Sequence, residues 1–115
     1  MLKIKRVYDK ADSSDGIRFL VDRLWPRGIK KEDLKMKAWL KEVSPSPALR
    51  KWYSHDPAKW DEFQKKYRVE LKGNPDAWQL LLHATRNGNV TLLYSARDVE
   101  HNSALVLKEF LEEQI

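Results

Sequence analysis

The chain has 115 residues, no cysteine and a formal net charge of +5. That length suits one domain with its own core, and the missing thiol excludes disulfides, thiolate metal sites and cysteine nucleophiles. No stretch approaches the roughly 20 apolar residues of a membrane span, and Met1 to Arg6 lacks a signal peptide's apolar run, so a cytoplasmic protein with no membrane attachment is expected.

The charge is uneven along the chain. Residues 1–51 carry 14 Lys or Arg against 7 Asp or Glu, and residues 52–115 carry 8 against 10. A basic first half favours an anionic partner, although a solvated lysine-rich surface has the same composition. Leu2 to Tyr8 alternates apolar and basic residues, as a strand with one wet face does. Asp12-Ser13-Ser14-Asp15-Gly16 is a turn by composition. Ile17 to Trp25 reads as a second strand, stopped by Pro26 and Gly28.

Lys31-Glu32-Asp33-Leu34 fits a helical turn, and Ala38 to Val43 a short strand or half-buried coil. Ser46-Pro47 is a helix start, an N-cap with proline at the first helical position, and that helix runs through Leu49, Trp52 and Tyr53 towards His55. Asp56-Pro57 repeats the device. Behind it, Trp60, Phe63, Tyr67 and Leu71 recur at three and four, the apolar stripe of a helix facing one core. Gly73-Asn74-Pro75 ends it. Asp76 to about Thr85 forms another helix, with Trp78, Leu81 and Leu82 inward and His83 half-buried.

Val90 to Tyr94 is nearly continuous apolar chain, as a strand buried on both faces requires. A last helix from Asn102 to about Glu113 places Ala104, Leu107 and Leu111 at helical spacing. The order predicts one α/β domain over residues 1–115, with a small mixed or mostly parallel sheet flanked by helices.

Two polar breaks after strands are the candidate site, because open α/β sheets keep ligands at strand ends. After Tyr94 come Ser95, Arg97, Asp98 and His101, with Asn102 or Ser103 able to cap the last helix. Backbone N–H groups and the helix dipole favour an anion there. Arg97 adds a planar donor fork, unless it pairs with Asp98 and merely holds the loop. In the first break, Arg23 and Arg27 flank Trp25-Pro26, a stiff flat surface suited to stacking or to plain packing. Asp22 is either a brace for an arginine or part of a ligand contact. Of the three histidines, His101 is the candidate for chemistry, being near Arg97 and Asp98. His55 beside a cap, like the caps Ser46 and Asp56, has a structural reading.

No glycine-rich phosphate loop, Gly-x-Ser-x-Gly elbow or His-Glu-x-x-His spacing occurs, so no metal is expected and no cofactor is indicated. No helix has the basic face of a helix-turn-helix, which argues against sequence-specific nucleic-acid binding.

Leu20-Val21-Asp22-Arg23-Leu24-Trp25-Pro26-Arg27-Gly28 resembles the opening signature of the YeaO-like proteins, a branch of a broad bacterial and archaeal family classed as a domain of unknown function. The likeness continues through Trp39, Ser44-Pro45-Ser46, Leu49 to Trp52, His55-Asp56-Pro57, Trp60, Phe63, Tyr67 and Glu70-Leu71. It ends with Thr91 to Asp98 and His101 to Ala104, so it covers nearly the whole chain. The resemblance implies a single α/β domain and brings no catalytic residue set. Other branches carry a Cys-His-Arg type element where this chain has Ser95-Ala96-Arg97 and His101-Asn102, and a thiol mechanism is impossible here. Ser95 has no base at a short fixed spacing.

The reading is therefore an arginine-lined site for a small anion, a phosphate or a nucleotide. Arg23, Arg27, Arg50 and Arg97 form its clamp, Trp25 a wall, and Ser95 and Asn102 further ligand contacts. Asp98 and His101 are the acid–base candidates if the protein is an enzyme, which the sequence leaves open. The rival is a non-enzymatic nucleic-acid- or protein-binding module using the basic first half as a surface. Salt separates the two, since a nucleic-acid patch loses affinity steeply through counterion release.

Overall fold

Val90–Tyr94 is buried along its whole length, and the other strands are arranged around it. The computed structural model describes residues 1–115. Strands β1 (Leu2–Arg6), β2 (Ile17–Leu20), β3 (Ala38–Trp39) and β4 (Val90–Tyr94) form one sheet in the order β1-β4-β2-β3. Every pairing is parallel, with Ile4 opposite Leu92 and Phe19 opposite Leu92 from the other side. Helices α1 (Pro47–Tyr53), α2 (Trp60–Lys72), α3 (Pro75–Arg86) and α4 (Ser103–Gln114) complete an α/β fold. None of them is long and apolar enough to cross a membrane.

Strand alternation sorts the side chains into two faces. Leu2, Phe19, Val21, Val90, Leu92 and Tyr94 join the main core with the buried residues of all four helices. Leu20 and Leu93 point the other way, into a small cluster with Val7 and Leu34 that Trp25, Ile29, Met36 and Trp39 cover. Helices thus cover one face of the sheet, and the segment between β2 and β3 covers the other. The α2 stripe faces the main core as its spacing predicts. Phe63, Tyr67 and Leu71 are buried there and Trp60 packs at its edge.

Two expectations change and one left open is resolved. The second strand stops at Leu20 instead of Trp25. Val21 N–H still donates to Leu93 O at 3.1 Å, but Asp22 then turns aside, its carbonyl accepting from Trp39 Nε1 at 2.6 Å. The apolar pattern outlasts the ladder, so Trp25 packs by its ring, edge-on to Trp39 at 5.4 Å. The stretch after Met36 is both strand and coil, because β3 gives way to a 3-10 turn at Lys41–Val43. His83 is exposed instead of half-buried, since it lies off the Trp78, Leu81 and Leu82 stripe of α3.

On the loop-covered face, Asp15 has a fully enclosed side chain. A buried carboxylate needs partners, and it has Lys3 at 3.0 Å, Lys5 at 3.2 Å and Arg18 at 3.7 Å. It also accepts from Asp12 N–H, closing a capping box. Burial pushes its carboxyl up, but the lysines and that N–H outweigh burial and hold it down at about 2. A carboxyl depressed by folding stabilises the fold above its unfolded pKa near 3.8, and that contribution is lost as pH falls through 2. With the solvent access of Lys3 discounted, it is worth about 1–2 kcal/mol. Urea melts at pH 6 and pH 2.5 should show Asp15→Asn flattening the acid loss of stability by that amount. An unchanged acid limb would mean that Asp15 is not its source.

Candidate functional site

Because all pairings are parallel, the carboxyl ends of β1, β2 and β4 share one rim, at Arg6, Leu20 and Tyr94. β1 and β2 leave β4 on opposite sides, the arrangement that opens a crevice in α/β sheets. A cleft of about 640 Å³ lies there. Arg23, Trp25, Arg27, Arg50, Ser95, Arg97, His101 and Asn102 all line it. Asp98 does not, but it contacts His101, which does. The two polar breaks therefore meet, although some 70 positions separate them.

The arginines divide by partner. Arg6 donates Nε to Ala96 O at 3.0 Å and a terminal nitrogen to Ser95 O at 3.2 Å, fastening the loop after β4. Arg23 reaches Ser44 O at 3.4 Å and Glu42 at 3.9 Å, while its buried Nε has no partner. Arg27, Arg50 and Arg97 make no salt bridge and no side-chain hydrogen bond within the chain. Neither candidate carboxylate forms a salt bridge with them, although the charge of Arg50 reaches Asp22. Asp98 is engaged with His101 Nδ1 at 2.9 Å. Asp22 Oδ2 accepts Ser95 N–H at 2.9 Å and Ser95 Oγ–H at 2.7 Å.

These two carboxylates are tuned in opposite directions. Burial raises Asp22 above the ordinary range, against the bonds from Ser95 and the charge of Arg50. Backbone N–H donation from Glu100 lowers Asp98, with His101 adding to it. Asp98 thus stays ionised and orients the His101 ring, which also meets Trp60 edge-on at 5.2 Å. Asn102 caps α4 by accepting Leu105 N–H at 2.9 Å and donates to Asp98 O at 3.0 Å. The first turn of α4 is thereby held at the cleft, where Ser103 also lies.

A family model described as "Inactive DUF488-N3 subclade" matches residues 1–115. This chain belongs to that family. It is 44% identical over 110 residues to "Uncharacterized protein YeaO" of Escherichia coli K12, covering 96% of each chain. It is 41% identical over 110 residues to "Uncharacterized protein Rv3073c" of Mycobacterium tuberculosis H37Rv, covering 96% of this chain and 92% of the relative. The relative Mb3100c of Mycobacterium bovis matches equally. No solved structure matches.

In this member of the DUF488-N3 subclade, the cleft includes residues that sequence reasoning did not gather. Arg6 and Tyr8 come from the end of β1, and Tyr8 Oη–H reaches Arg27 O at 2.9 Å. Their signal was the end of the first alternating run, which a parallel partner carries to the same rim. Tyr53, His55 and Phe63 close the helical side. Ser54 and His55 both have left-handed backbone, with φ of 48° and 56°, a strained pair that turns the chain sharply after α1. Ser95 does have a carboxylate on its hydroxyl, Asp22, but 73 positions away, where no short spacing could reveal it.

Proposed function

We propose that the cleft binds a small phosphate-bearing molecule, a free phosphate or a nucleotide. The observation that carries this reading is that Arg27, Arg50 and Arg97 line one crevice with no carboxylate in salt-bridge contact. Guanidiniums cannot relieve their repulsion by losing a proton, so a bound anion is the natural complement. The capped first turn of α4 adds N–H groups and a favourable dipole, and Trp25 offers a ring to a base. The description of its family as inactive supports binding without turnover over an enzyme built on His101 and Asp98.

The test is titration calorimetry with inorganic phosphate and with a nucleoside 5′-monophosphate. Arg97→Met should weaken binding at least about tenfold, the value of a lost charge-assisted bond. Arg97 is exposed and unpaired, so the same change should leave urea stability within about 1 kcal/mol. Unchanged affinity would overturn the reading. Generic duplex DNA should bind weakly at physiological salt, and a submicromolar complex that melts away steeply with salt would replace the pocket with a basic surface.

A further inference from the structure

Asp22 is the one carboxylate among the residues lining an otherwise cationic cleft. Its Oδ2 is saturated by the two donors of Ser95. Its Oδ1 takes no hydrogen bond from the protein, yet is not among the polar atoms sealed from solvent. Because Asp22 lines the cleft, this open oxygen is the part of its carboxylate left for a ligand there. The groups around Asp22 are Ser95 after β4, Arg50 on α1, Tyr67 on α2, Tyr94 on β4 and its neighbour Arg23.

An ionised carboxylate is an acceptor only. Placed against an oxyanion it is repulsive, unless a proton lies between the two, as when paired carboxyl groups share one. Oxyanions differ sharply in whether they can bring that proton. Phosphomonoesters have a second pKa of about 6 and inorganic phosphate one about a unit higher, so both can carry a proton close to neutrality. Sulfate and phosphodiesters have none to give in that range. Repulsion against the wrong ligand is an efficient source of specificity.

Taking the anion-binding reading as its basis, we infer that Asp22 makes the cleft selective for oxyanions that bring a proton, inorganic phosphate or a terminal phosphomonoester, and rejects sulfate and phosphodiesters. Charge alone predicts the reverse for sulfate, whose full two charges suit the arginines better than the singly charged phosphate. The selectivity also excludes the phosphodiester backbone of a nucleic acid from this cleft.

The experiment is calorimetry on the full chain at pH 6.5, with inorganic phosphate, phenyl phosphate, sulfate and dimethyl phosphate as probes. Wild type should bind the first two about tenfold or more tightly than the last two. A tighter phenyl phosphate than phosphate identifies a monoester ligand, and the converse identifies free phosphate. Asp22→Asn keeps an oxygen for Ser95 and turns an N–H donor towards the cleft, so it should raise sulfate affinity about tenfold and erase the preference. Equal wild-type affinity for phosphate and sulfate overturns the inference and leaves the anion site standing. So does an unaltered preference in Asp22→Asn. Failure of all four probes to bind at millimolar concentration overturns the anion reading and this inference together.

Discussion

Phe63→Ala should cost about 3–5 kcal/mol, the usual penalty for emptying a buried aromatic site. The ring is 2% exposed and stacks on Tyr53 at 4.4 Å and Trp60 at 5.6 Å. Tyr67 approaches it at 5.9 Å. Removing the ring leaves a void between α1 and α2 that three other rings cannot fill without leaving their own contacts. A domain of this size is stable by about 5–15 kcal/mol, so much of that margin would go. Because Phe63 also lines the cleft, the variant should lose phosphate affinity along with stability, whereas Arg97→Met should lose affinity alone. A urea-melt change below about 1 kcal/mol would show that the α2 stripe does not hold the core.

Gly16→Ala should be comparably damaging, at about 3 kcal/mol or more, from the sum of backbone strain and a forced shift. Gly16 has φ of +64°, where a side chain is already unfavourable. A Cβ there would also collide with the Asn89 carbonyl, whose carbon would lie at 2.6 Å. Nothing flexible is available to move, because Asn89 O is the acceptor for Ile17 N–H at 2.9 Å. The clash therefore falls on the bond that aligns β2 with β4. Denaturant melts check the magnitude, and a loss under about 1 kcal/mol would mean that the two turns separate freely.

The parts of the fold legible in the sequence are those whose cause is local. The three-and-four recurrence of Trp60, Phe63, Tyr67 and Leu71 marks α2 without reference to any partner. The unbroken run from Val90 to Tyr94 marks a strand buried on both faces. Ser46, Asp56 and Asn102 each cap the turn they precede. The end of β2 is not local. Val21, Leu24 and Trp25 continue an apolar pattern, while the ladder runs out because its partner β4 ends at Tyr94. The enclosure of Asp15 depends on Lys3, Lys5 and Arg18 arriving from two strands. The site was half legible for the same reason. That strands end in arginine-rich breaks is visible along the chain, but the bond from Ser95 to Asp22 exists only once β2 and β4 are neighbours.

The place of β4 in the sheet has a consequence for how the molecule comes into being. β1 and β2 never bond to each other; each bonds to β4, which is made 88 residues after β1 and 73 after β2. A nascent chain that has reached residue 89 contains three strands, and of these only β2 and β3 have each other. The sheet can assemble only after Val90–Tyr94 has been made, through closures of some 70 to 90 residues, and long-range pairing of this kind is slow. Early-made apolar segments such as Phe19-Leu20-Val21 must wait uncovered for their partner. The crevice likewise takes shape only after the central strand and the loop behind it have been made.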